Sequence, residues 1–127
     1  MPFVLGAVVA GNLIDADHLP QIFGSHILTE GTPRPYSHSL TMLLLLAVLA
    51  FLARGGVASA LGGAAFGVTG HLVRDLATAP VALFWPVSSE GVAIPYPVYA
   101  VLLIASACIA VGLAWVHKRR VSTDAAV

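Results

Sequence analysis

From Pro97 through Val116 the chain carries no charged residue, and three further apolar stretches precede it. A run of this kind matches the ~20 residues that a helix needs to cross a bilayer core. Inside lipid the backbone finds no water, so a spanning segment must be a helix or a strand of a closed barrel. The runs are continuous rather than alternating, which argues against barrel strands. Composition agrees, with 58% of the 127 residues hydrophobic and 9% charged, against about 25% charged in an average soluble domain. So few charges cannot clothe a soluble globule, build a basic nucleic-acid face or keep a chain disordered. The expected class is all-α, a single integral membrane domain over 1–127 with about four transmembrane helices.

The approximate spans are 2–17, 38–53, 57–77 and 97–116, with 121–127 as a flexible tail. The stretch Val81-Ala82-Leu83-Phe84-Trp85-Pro86 is apolar but too short to span, and reads as a re-entrant or interfacial segment. Residues 19–37 are rich in Gly, Pro, Thr and Ser and form a loop at one membrane face. With four spans, Arg54, Lys118, Arg119 and Arg120 share the face of the two termini, while Arg34 and Arg74 lie at the other. The positive-inside rule makes the first face cytoplasmic and the second periplasmic or extracellular. No basic residue precedes the first apolar stretch, so a cleavable signal peptide is not expected. Cys108 is the single cysteine, which excludes an internal disulfide or a thiolate zinc cage.

The polar residues are not scattered. Asp15, Asp17 and His18 close the first segment, His38 opens the second, and His71 and Asp75 lie near the end of the third. All six fall toward the same membrane face. In the third segment Ser59, Gly63, Gly67, His71 and Asp75 recur at every fourth position, one slowly drifting stripe on a helix. Small residues along it admit a neighbouring helix, or a second copy of the chain in a homo-oligomer. Ionisable groups within spans are costly and are functional candidates by default. Carboxylates with imidazoles suit zinc, manganese or iron, and are less suited to magnesium. The expected metal ligands are Asp17, His38, His71 and Asp75, with Asp15 and His18 as general base or orienting groups. Arg34 is expected to contact an anionic group. His26 and Glu90 read as solvated loop residues, as does Glu30, and His117 as part of a basic headgroup anchor.

Three elements carry a family resemblance. They are Leu13-Ile14-Asp15-Ala16-Asp17-His18, then Pro33-Arg34-Pro35-Tyr36-Ser37-His38-Ser39-Leu40, then Gly67 through Leu76 containing His71 and Asp75, followed by Leu83-Phe84-Trp85-Pro86. In order and spacing this resembles the bacterial membrane-bound metal-dependent hydrolases of the inner membrane. Pro33 departs from that family's usual histidine, and Pro35 from its glycine. The resemblance implies a hydrolase, and the depth of the site with Arg34 and Arg74 beside it leads to the expectation of a metal-activated water attacking an ester or phosphoester of a lipid or envelope-related substrate. Membrane lipids are then the expected partners, and no nucleic acid is. A non-catalytic metal-binding scaffold is the alternative. A proton or ion transport component fits less well, because the polar residues do not lead to both faces.

Overall fold

The computed structural model describes residues 1–29 and 34–124, with the side chains of 110, 111 and 113–124 outside that description. Residues 125–127 of the expected tail, together with Glu30 and Pro33, also lie outside the described residues, as does the His117 side chain. The chain is all-α: α1 (Pro2–Leu13), a 3₁₀ turn (Ile14–His18), α2 (Leu19–Ile22), α3 (Leu40–Leu52), α4 (Gly55–Thr78) and α5 (Tyr96–Asp124). It divides into two compact units, Met1–Ile94 and Pro95–Val127. The second unit holds α5, with Tyr96 and Tyr99 in ring contact at its start.

The spans differ from expectation in number and bounds. Among the described residues one helix, Gly55–Thr78, is both long and apolar enough to cross a membrane. The 2–17 span breaks at Leu13 into the 3₁₀ turn. The 38–53 span shortens to the 13 residues of α3, so His38 precedes the helix rather than opening it. The segment 81–86 is a loop of bridge and turns. Val81 pairs with Val92 in an isolated antiparallel bridge, which turns the chain back over the end of α4. Val81 and Ala82 are fully buried, while Phe84 and Trp85 face outward. The Leu83 carbonyl accepts from the Leu40 amide at the start of α3, and the Ile94 amide donates to the Leu76 carbonyl.

The α3–α4 connection is the two residues Ala53 and Arg54, and the chain re-enters helix at Gly55 with φ +58. That left-handed conformation costs a side-chain-bearing residue about 1–2 kcal/mol. Gly55→Ala is therefore expected to destabilise by about that amount. Its neighbour Gly56→Ala, whose added carbon would touch only the Pro2 side chain at 3.8 Å, should be neutral or gain up to about 1 kcal/mol. Thermal unfolding of the two variants in detergent checks the difference.

The α4 stripe is occupied within the chain. A side chain at Gly63 would run into the Phe3 carbonyl, one at Gly67 into the Ala7 carbonyl, and one at Gly6 into the Ala60 carbonyl. One turn further, His71 reaches the Gly11 carbonyl, sixty residues away in sequence. The pairs Phe3/Gly63, Ala7/Gly67 and Gly11/His71 hold one register, so α1 and α4 run parallel at backbone contact. The stripe thus serves an internal helix contact rather than the homo-oligomer interface considered above. Because α3 returns through a two-residue turn, it lies antiparallel to α4, and its start meets the end of α4.

The interior is polar and the periphery apolar. No residue of α1 or α3 is buried, and Leu5, Leu44, Phe51 and Leu52 are each at least 65% exposed. Among the described residues the buried set comprises Pro35, Gly63, Val68, Leu72, Val81 and Ala82 beside Thr29, His38, Ser39, His71 and Asp75. Water would penalise such a surface, whereas hydrocarbon solvates it.

Candidate metal centre

The polar residues meet where the ends of α1 and α4 and the start of α3 converge. The 3₁₀ turn supplies Asp15, Asp17 and His18. The loop before α3 supplies Arg34, Ser37 and His38, and the last two turns of α4 supply His71, Asp75 and Thr78. Four atoms alternate oxygen and nitrogen around a ring. His71 Nε2 lies 3.2 Å from Asp15 Oδ1 and 3.3 Å from Asp75 Oδ2. His38 Nε2 lies 3.2 Å from Asp75 Oδ2 and 3.7 Å from Asp15 Oδ1. His38 and Asp75 are 0% exposed, whereas the Asp15 side chain is 48% exposed.

These atoms approach one another without bonding one another. His38 Nε2, His71 Nε2 and Asp75 Oδ2 are buried and have no hydrogen-bond partner. An orphaned buried polar atom costs about 1–3 kcal/mol, so three in one place require a reason. The state of His71 supplies one. Its Nδ1 stands 2.8 Å from the Gly11 carbonyl. A carbonyl only accepts, so Nδ1–H is the donor. In the neutral ring Nε2 is then a bare lone pair directed at two carboxylate oxygens. Acceptor faces acceptor, and a cation between them removes the conflict. The separations suit that, since two ligands ~2.1 Å from one ion stand about 3.0–3.5 Å apart at 90–110°. The Gly11 carbonyl behind the ring is the usual outer partner of a ligating imidazole.

Asp75 sits in the last turn of α4, where the helix dipole disfavours a carboxylate. Arg34 offsets this, its Nη2 lying 3.2 Å from Asp75 Oδ1 and donating to Thr78 Oγ1 at 3.1 Å. Arg34 is thus engaged with Asp75, where sequence reading expected it to meet an external anion. On the far side of His38 lies the rest of the turn. Asp17 Oδ2 is 3.4 Å from His38 Nδ1 and accepts a short hydrogen bond from Ser37. His18 Nδ1 is 3.1 Å from Asp17 Oδ1 and 3.8 Å from Asp15 Oδ1. The structure therefore brings together Asp15, Asp17, His18, Arg34, His38, His71 and Asp75. By geometry Asp15 joins His71 and Asp75, while Asp17 joins His18. Arg74, His26 and Glu90 are exposed and take no part.

Ser37, Thr78 and the Gly11 carbonyl were not singled out from sequence. Ser37 lies inside the second quoted element. Gly11 could have been found from α1, where Phe3, Ala7, Gly11 and Asp15 repeat at the spacing of the α4 stripe.

A family model described as "YdjM inner membrane protein" matches residues 2–127. The chain belongs to that family. No curated protein and no solved structure matches it. Membership makes this a bacterial inner-membrane protein, which accounts for the apolar periphery of α1 and α3. It also sharpens the electrostatics. With its carboxylates ionised and its imidazoles neutral the cluster would be negative, which a low-dielectric surround disfavours and a bound cation would offset.

Proposed function

We propose that the chain is a membrane-embedded, metal-dependent hydrolase centred on Asp15, His38, His71 and Asp75. The observation that carries this reading is the ring of carboxylate oxygens and imidazole nitrogens, close together and unsatisfied by one another. The donor set fits zinc, manganese or iron. When bound, such a cation supplies Lewis acidity and activates water for hydrolysis. The chain's own residues do the rest. The Gly11 carbonyl fixes the His71 ring, and Arg34 holds Asp75 and balances its charge. Asp15, the one exposed member of the ring, faces incoming water and is positioned to accept its proton.

The substrate class follows from an adjoining groove. Val9 and Leu13 of α1 and Met42 and Leu46 of α3 flank a space of about 430 Å³ over Val68, ending at Asp17 and Ser37. Its apolar walls suit an acyl chain, and its polar end suits an ester or phosphoester head. Beside it, Tyr36 stacks on Trp85 with ring centroids 5.1 Å apart, an amphipathic pair suited to the headgroup level. The chain is multi-pass in this reading. At ~1.5 Å per α-helical and ~2.0 Å per 3₁₀ residue, α1 with its following turn reaches about 28 Å. Arg54 lies at the opposite end of α4 from the site, and the positive-inside rule then favours the periplasmic side for the site.

The test is to purify the chain in detergent, measure bound metal by mass spectrometry and assay water-insoluble esters and phosphoesters. The expected result is at least one divalent cation per chain and turnover lost in His71→Ala. No cation in the wild type, or equal cation in His71→Ala, overturns the reading. Cation without turnover on any substrate favours the scaffold.

A further inference from the structure

We infer that the centre holds two divalent cations, one on each side of the His38 imidazole, with Asp17, His18 and His38 Nδ1 as the ligands of the second. This rests on the metal reading of the first site, and the experiment below separates the two.

The 3₁₀ turn sets the geometry. With three residues per turn, Asp15 and Asp17 leave the turn about 120° apart, and His18 Nδ1 stands nearer Asp17 Oδ1, at 3.1 Å, than Asp15 Oδ1, at 3.8 Å. One ion therefore does not collect both carboxylates easily, and the turn delivers them to opposite faces of one ring. Asp15 reaches the Nε2 side of His38, and Asp17 reaches the Nδ1 side at 3.4 Å. Atoms of Asp17, His18 and His38 all lie within 4.8 Å of one another, as do atoms of Asp15, His38 and His71. His38 is common to both groups.

The decisive atom is His38 Nδ1. A ring serving a single cation places its other N–H on a fixed acceptor, as His71 does with the Gly11 carbonyl. His38 is 0% exposed, yet Nδ1 has no hydrogen-bond partner. The facing Asp17 Oδ2, 3.4 Å away, makes no hydrogen bond with it and already accepts from Ser37. His18 Nδ1 and Asp17 Oδ1 are also buried without a hydrogen-bond partner, although they stand 3.1 Å apart. The arrangement of the first site is repeated here, with donor atoms converging on a point rather than on each other. Ligation through both nitrogens removes the ring proton of His38, which leaves to solvent as the second cation arrives. The first cation balances the cluster's charge and the second makes it positive. Since Asp17 also ends the apolar groove, the second cation stands where an anionic headgroup would arrive.

The test is equilibrium dialysis of the full chain in detergent against zinc, with metal counted by mass spectrometry. The expected stoichiometry is two in the wild type, one in His18→Asn, one in Asp17→Asn and one in His71→Ala. With manganese, the wild type should show the dipolar-broadened spectrum of a close pair, and His18→Asn the sharp hyperfine lines of an isolated ion. Gel filtration confirms that each variant stays folded, and His18→Asn and Asp17→Asn each suffice if the other fails. One zinc in the wild type, unchanged in His18→Asn, overturns the second site and leaves Asp17 as an orienting partner of His38, with the first site intact. Two zinc ions in both His18→Asn and Asp17→Asn also overturn it. No zinc in the wild type overturns this inference and the reading beneath it together.

Discussion

Asp75→Ala is expected to lose the cation of the Asp15, His38, His71 and Asp75 ring and to cost about 3–5 kcal/mol of stability. Asp75 is 0% exposed and faces both ring histidines at 3.2 and 3.3 Å, with the Arg34 guanidinium on its other oxygen. Truncation leaves Arg34 without this carboxylate and removes an oxygen from between His38 Nε2 and His71 Nε2. The two losses separate in Asp75→Asn, which keeps the shape and one carbonyl oxygen but drops the charge. Asn should retain most of the fold while losing that cation, whereas Ala loses both. Thermal unfolding in detergent and metal counting, run on both variants, read the two effects independently. If Asp75→Asn holds as much metal as the wild type, the carboxylate is structural and the ring is not a cation site.

How much of this was legible beforehand depends on which physical signal each feature leaves in one dimension. Helicity was legible, because runs such as 97–116 are uncharged and do not alternate, which excludes barrel strands and leaves the helix as the solution in lipid. The convergence of Asp15, Asp17, His18, His38, His71 and Asp75 was legible too, since each falls at the same end of an alternating path of segments. Half of the α1–α4 contact was visible in Gly63 and Gly67. The other half is hidden in the sequence, because Phe3, Ala7 and Gly11 resemble any apolar stretch apart from their match to the α4 register. Span lengths were less legible. Hydropathy continues through Ile14 and from His38 onward, and it does not record that Asp15-Ala16-Asp17-His18 tightens to a 3₁₀ turn or that α3 waits until Leu40. The division of the carboxylates was not legible at all. Asp15 and Asp17 are equivalent as letters, and only the turn geometry sends them to different nitrogens of His38. Arg34 likewise could not be assigned to Asp75 without the fold, since an arginine beside a site fits an external anion equally well.

Gly67→Leu should abolish metal binding at the His71 site although it touches no ligand. The added carbon at Gly67 meets the Ala7 carbonyl, and that neighbour is backbone, which has no rotamer to yield. Overpacking of a side-chain contact costs about 1–3 kcal/mol, and occasionally more. Here α1 has to move bodily, so the upper end or beyond is expected. Movement of α1 carries the Gly11 carbonyl away from His71 Nδ1 and Asp15 away from His71 Nε2, contacts now at 2.8 and 3.2 Å. The His71 ring then loses both its orienting acceptor and a neighbouring carboxylate. The control is Gly70→Ala on the same helix, where nothing lies within 4 Å of the added carbon. That change should be neutral or stabilise by up to about 1 kcal/mol, because alanine favours the helix. Metal stoichiometry and unfolding temperature in detergent distinguish the pair. Retention of full metal by Gly67→Leu would show that α1 is not what aligns the site. Loss in both variants would show general intolerance of α4 to substitution rather than a register between two parallel helices.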